Sequence, residues 1–279
     1  KKNPFTKELD LKTMLPLQNR MLKAIGKYQN GDLHEPIAEL KEIVKENPGF
    51  ILVYGHIATI LKESGQVKKA VEILESGLRK NPGNPGLLSK LGIMLAEANR
   101  VDEAVEILEK CIKNEKNDPE NFNYLGVAYY KKGDFRSALE NYQKALELDN
   151  NYASVFNNIG SLYLVIYLKK KDEKAYRLAI QNFSRAIEID PRLFAAYNGR
   201  GAAYKFKNKI EKAIEDWKRA IEIKPGFIDS YFNIGISYLE KGDKDSALKY
   251  FLLCKEKFNS KLPQRERQRL ARLIDEAKR

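Results

Sequence analysis

Two cysteines and two histidines are the whole stock of soft metal ligands and imidazole bases in the 279-residue chain. His34 stands at the start of a helical segment and reads as solvated. His56 has no cysteine, carboxylate or second histidine at ligand spacing, so no zinc site is expected. A nucleophile–imidazole triad has almost no material here. No glycine-rich phosphate loop is present. Carboxylates are plentiful, but they sit on helix surfaces with cations three or four residues away, as Glu106 does with Lys110. That is the spacing of solvated ion pairs. The chemistry-bearing residues therefore assign no catalytic group, no cofactor and no metal ligand, and the chain is read as not an enzyme.

Composition, with 32% charged and 43% hydrophobic residues, fits a soluble, globular chain with ample material for a core. No apolar run reaches the roughly 18 residues of a membrane span. The net charge of +12 is uneven: residues 1–16 carry +2, residues 165–177 carry +3 and residues 261–279 carry +4. A nucleic-acid reader would carry its lysines and arginines along one binding face. Here they gather in the flanks and in one insertion, where solvated basic ends that aid solubility are the simpler reading.

What positions everything else is a period of 34 residues. Phe122, Leu125, Gly126 and Tyr129, followed by Ala138, Tyr142 and Ala145, recur one period earlier as Leu88, Leu91, Gly92 and Leu95, then Ala104, Leu108 and Cys111. Phe156, Ile159, Gly160 and Tyr163 repeat the first half one period later. The frame divides the chain into an N-terminal leader (1–16), then units 17–50, 51–84, 85–118, 119–152, 153–193, 194–227 and 228–261, and a C-terminal capping helix (262–279). The fifth unit holds seven extra residues.

Each unit reads as two amphipathic helices. Glycine or asparagine marks the turn (Gly31, Gly65, Asn99, Gly133, Asn208, Gly242), since these residues enter the left-handed conformation that ends a helix. Pro48, Pro82, Pro191 and Pro225 stop the second helices. The eighth position is small: Ala24, Ala58, Gly92, Gly126, Gly160, Gly201 and Gly235. It allows close approach of the partner helix. The twenty-fourth is bulky and fills the space: Leu40, Leu74, Leu108, Tyr142, Phe183, Trp217 and Phe251. Cys111 and Cys254 both occupy the usually small twenty-seventh position. They read as buried hydrophobes, four units apart and too distant for a disulfide. The insertion contains no glycine or proline, so it predicts about one extra turn on each helix of the fifth pair, with Lys169 to Lys171 at the tip. It is either a tolerated elongation or a lip. Leu270, Leu273, Ile274 and Ala277 give the last segment one apolar face. Pro16 is read as opening the first helix, with no sustained helical period before it.

This pattern resembles the tetratricopeptide repeat family over residues 17–261. The first unit departs from it, with Lys27 in place of an aromatic and Pro36 in place of alanine, and is expected to be distorted. The resemblance implies an all-α, right-handed solenoid of helix pairs, with first helices lining a concave groove. It also implies a non-enzymatic scaffold or adaptor that binds a partner peptide or helix. Transferred position by position, the groove would be lined by a seam that includes Val127, Ser161, Ala202 and Ile236. Tyr130 joins it, with side-chain amides at Asn123, Asn157, Asn158, Asn198 and Asn233. The lysines that clamp acidic C-terminal tails in some members have no counterparts at the fifth positions. A row of amides can instead hydrogen-bond a bound backbone of any sequence.

Two alternatives stay open. One is a self-assembling homo-oligomer whose groove takes a neighbour's terminal segment. The other is a basic adaptor for nucleic acid or an anionic membrane, with membrane contact only through the flanks or an anchor. A cytoplasmic location is expected from the unpaired thiols. The start at Lys1 rather than Met leaves an extracytoplasmic or membrane-anchored form open.

Overall fold

Five first-helix ends carry a left-handed residue where the sequence places the turns: Gly65 (φ 75°), Asn99 (φ 64°), Gly133 (φ 85°), Asn208 (φ 55°) and Gly242 (φ 80°). These turns come from a computed structural model that describes residues 11–29, 34–260 and 262–278. The Gly31 turn lies outside the described residues. In the fifth pair the left-handed position is held by Lys171 (φ 55°), which the turn rule alone does not pick out.

The described residues form helices only, in two compact units, Lys1–Leu148 and Asp149–Arg279. The first unit contains four pairs: α1 (Leu11–Gln29) with α2 (His34–Glu46), α3 (Ile51–Glu63) with α4 (Val67–Lys80), α5 (Pro85–Glu97) with α6 (Val101–Asn114), and α7 (Pro119–Lys132) with α8 (Phe135–Leu148). The second contains α9 (Ala153–Lys170) with α10 (Glu173–Ile189), α11 (Phe194–Phe206) with α12 (Ile210–Ile223), and α13 (Ile228–Glu240) with α14 (Lys244–Phe258). A last helix, α15 (Gln264–Lys278), packs on α14.

The eighth and twenty-fourth positions meet in the five pairs that carry glycine at the eighth. A Cβ added to Gly126 would lie 2.5 Å from the Tyr142 ring. At Gly160 it would lie 2.8 Å from Phe183, at Gly201 2.9 Å from Trp217, and at Gly235 2.4 Å from Phe251. The bulky partners are fully buried, so the absent side chain is what lets each ring in. The same logic closes the end of the second unit, where Leu270, Ile274 and Ala277 of α15 are buried beside Phe251 and Phe258. The fifth pair has helices of 18 and 17 residues where most others have 13 or 14.

Three local readings need correction. The first helix begins at Leu11 and carries Pro16 inside it rather than at its start. Proline removes one backbone donor there, but Met14 and Leu17 pack against the core on either side of it. Pro36 falls in the first turn of α2. There the N–H has no helical partner in any case, so it does not break the pair. Residues 262–263 precede α15, which starts after Pro263.

Candidate functional site

Within the first unit the helices α1, α3, α5 and α7 touch in succession, and in the second unit α9 touches α11. These first-helix surfaces carry most of the positions proposed to meet a partner. Charged side chains on these faces bond across neighbouring first helices. Lys62 pairs with Glu97 at 2.6 Å. Lys131 donates from Nζ to the Ala96 carbonyl at 3.1 Å. In the second unit Lys205 pairs with Glu240 at 3.0 Å. Such pairs are half-exposed and worth little individually, but they leave few cations on these faces for a ligand. His56 lies beside Lys90 in an apolar recess of about 610 Å³ lined also by Ile51, Leu52 and Leu87. Burial, and then the Lys90 charge, push its imidazole below the ordinary histidine value.

The amides divide by environment. Asn123, in the first unit, is 5% exposed and already engaged within the chain. Asn158, in the second unit, is also engaged. Asn157 and Asn198, on the adjoining helices α9 and α11, are half-buried, and each has its Oδ1 buried without a donor. Asn233 on α13 is likewise half-buried. The open row is therefore narrower than the sequence suggests, and it lies in the second unit. Among the apolar positions, Ser161 turns its hydroxyl back to the Asn157 carbonyl at 3.0 Å. Ala202 and Ile236 are half-buried against their local cores. In the first unit Val127 is half-buried, and the Tyr130 ring packs 5.8 Å from Phe135.

Sequence reasoning misses a buried ion pair. Arg200 donates to both Asp216 oxygens, from Nε at 2.9 Å and from a terminal nitrogen at 2.8 Å, and a third bond reaches Ser184 Oγ at 3.1 Å. Asp216 is 5% exposed, and its burial raises the carboxyl pKa against the opposing pull of Arg200. The signal is present in the sequence: Arg200 stands at the seventh position, which is Leu91, Leu125, Ile159 and Ile234 in other units. Cys111 and Cys254 are free and buried, and burial pushes each thiol up to about 11. Among the described residues no three His, Cys, Asp or Glu side chains gather as a metal site requires. No described helix is long and apolar enough to cross a membrane.

Helix pairs with this small-against-bulky register define a class, and sequence comparison agrees. Models described as tetratricopeptide repeat match residues 61–125 and 229–258, and one described as TPR repeat matches 128–164 and 207–242. The chain belongs to the tetratricopeptide repeat family. Its fold is similar to that of a tetratricopeptide repeat protein from Parabacteroides merdae, at 17% identity and TM-score 0.67, covering 94% of this chain and 99% of that one. It is similar to yeast Tom70 at 15% identity and TM-score 0.71, covering 94% of this chain and 53% of that one. A thermophilic TPR protein of Thermus thermophilus matches at 22% identity and TM-score 0.59, covering 68% of this chain and 99% of that one. No curated relative matches the sequence. At these identities the structural likeness speaks for the fold. Family membership supports a role in protein–protein interaction.

Proposed function

We propose that the chain is a non-enzymatic scaffold that holds an extended or helical segment of a partner protein on the first-helix face of its second unit. Asn157, Asn198 and Asn233 would contact the partner's backbone, with Ser161, Ala202 and Ile236 beneath it. The observation that carries this reading is the pair of amide oxygens on Asn157 and Asn198, buried without a donor. With the oxygen turned inward, each amide would present its Nδ2 donors outward, and a backbone carbonyl is the acceptor they suit. Leaving an oxygen unsatisfied is costly, and an arrangement repeated on adjacent helices is better explained by a use than by chance.

The test compares wild type with the combined Asn157→Ala, Asn198→Ala and Asn233→Ala variant in affinity capture from the source lysate. Partner binding is then measured by titration. Removing three backbone contacts should weaken a captured partner by about tenfold or more. Thermal unfolding would verify that the variant still folds. A partner bound equally by both proteins overturns the amide reading.

A further inference from the structure

The extra turns of the fifth pair end in a cluster of cations that partner binding along the amide row does not use. Lys171 ends α9 in the left-handed conformation at φ 55°, whereas the other described turns put glycine or asparagine there. A side chain at such a position costs about 1 kcal/mol. The next turn of the same unit presents Lys207 and Lys209 on either side of Asn208. These three ammonium groups surround one aromatic pair, Tyr167 and Tyr176, whose ring centroids lie 5.4 Å apart. Lys171 is 5.7 Å from the Tyr167 centroid, Lys207 is 6.0 and 5.6 Å from the two centroids, and Lys209 is 5.7 Å from that of Tyr176. The rings hold the lysine heads in place by attraction to their faces.

The charge does not balance. Glu173 is the one carboxylate bonded into the triad, accepting from Lys207 Nζ at 2.8 Å. The neighbouring Asp172 accepts from the Lys174 backbone N–H at 2.9 Å at the start of α10 and keeps its negative charge. Glu211 is paired with Lys241. Residues 165–177 and 207–209 together hold seven cationic side chains against the two carboxylates Asp172 and Glu173, and a phosphate monoester carries about −1.5 to −2 at neutral pH. A single carboxylate would offset less of that excess than a phosphate monoester does. Nucleobase stacking is disfavoured, because both tyrosines are 6% exposed and their faces are covered by the lysines themselves.

We propose that Lys171, Lys207 and Lys209 form a binding site for a phosphate monoester carried by a phosphorylated residue of a partner protein. The probe is O-phosphoserine, titrated into the ¹⁵N-labelled protein, with serine and with sodium chloride at matched ionic strength as controls. Saturable shifts are expected at 171, 207 and 209 with phosphoserine alone. Lys171→Asn keeps a residue suited to the left-handed turn, as Asn99 and Asn208 show, and removes one charge. It should weaken binding about fivefold, and Lys209→Gln should do the same. Shifts scattered over the basic surface, equal with chloride, or unaffected by Lys171→Asn would overturn the site. Binding to vesicles containing phosphatidylinositol 4-phosphate without any response to phosphoserine would overturn the protein-borne source. Neither probe uses the amide row, so failure of this site and failure of the proposed scaffold face are separable.

Discussion

Gly126 gives the most direct measure of what holds a helix pair together. Replacing it with alanine should, in an open helix, stabilise by about 1 kcal/mol, because glycine is the poorer helix former. Here the new methyl would lie 2.5 and 2.6 Å from two carbons of the Tyr142 ring and 3.2 Å from the Ala138 carbonyl oxygen. Tyr142 is 1% exposed, so its ring has no free space to enter. Overpacking of this kind costs about 1–3 kcal/mol, and a rigid ring against backbone belongs at the upper end. The net expectation is a loss of about 2 kcal/mol for Gly126→Ala. Gly26→Ala, where nothing lies within 4 Å of the added carbon, should gain up to about 1 kcal/mol. Because repeat arrays open locally, the assay is native-state hydrogen exchange of the α7 and α8 amides, which should quicken by about thirtyfold in Gly126→Ala. The chain suggests a rescue: Ala24 with Leu40 and Ala58 with Leu74, all buried, hold the register that Gly126 and Tyr142 occupy. Gly126→Ala combined with Tyr142→Leu should recover part of the loss, since a leucine side chain can shift where a ring cannot, although at the Gly92 and Leu108 pair an added Cβ would still lie 2.4 Å from the leucine. Unchanged α7 and α8 exchange in Gly126→Ala would refute the claim that the eighth position is small because the twenty-fourth is large.

Further outcomes follow from the same contacts. Cys111 and Cys254, with thiols near 11, should resist a maleimide or aromatic disulfide reagent at pH 8 in the native protein and react fully in denaturant; rapid native labelling would contradict their burial. Asp216→Ala strands the Arg200 guanidinium and should cost about 3 kcal/mol in urea unfolding. Arg200→Ile with Asp216→Asn copies Ile159 and Asn182 of the fifth pair and should fall within about 1 kcal/mol of wild type. A double variant as unstable as the single would mean that the pair is needed rather than tolerated. For His56 the folded pKa is lowered, so the unfolded chain binds the proton more readily. The histidine's contribution to stability is full above the unfolded value of about 6.5 and falls as pH drops through the lowered native value. NMR titration should find His56 below the ordinary value and Lys90→Gln moving it up; titration at or above the ordinary value would refute this.

The fold was legible because its causes are periodic. A small residue at the eighth position, a bulky one sixteen later and a left-handed turn between them recur, so each unit checks the others. The insertion was legible for the same reason: with no glycine or proline in it, extra residues could only lengthen helices. What periodicity cannot supply is which exposed-looking side chain finds a partner on a neighbouring helix. Asn123 and Asn157 occupy the same register of the repeat, yet one is engaged and buried while the other keeps an unmatched oxygen. Arg200 breaks an aliphatic series, and its meaning appears only once Asp216 and Ser184 are seen around it. Lys171 was visible as part of a basic run, but its left-handed backbone and its place over Tyr167 were not. Repetition therefore reports on the scaffold, and departures from repetition report on use. Arg200 and Lys171 are both such departures. Arg200 is compensated inside the protein, by Asp216. The triad around Lys171 is not, and that difference is why a ligand is assigned to the second and none to the first.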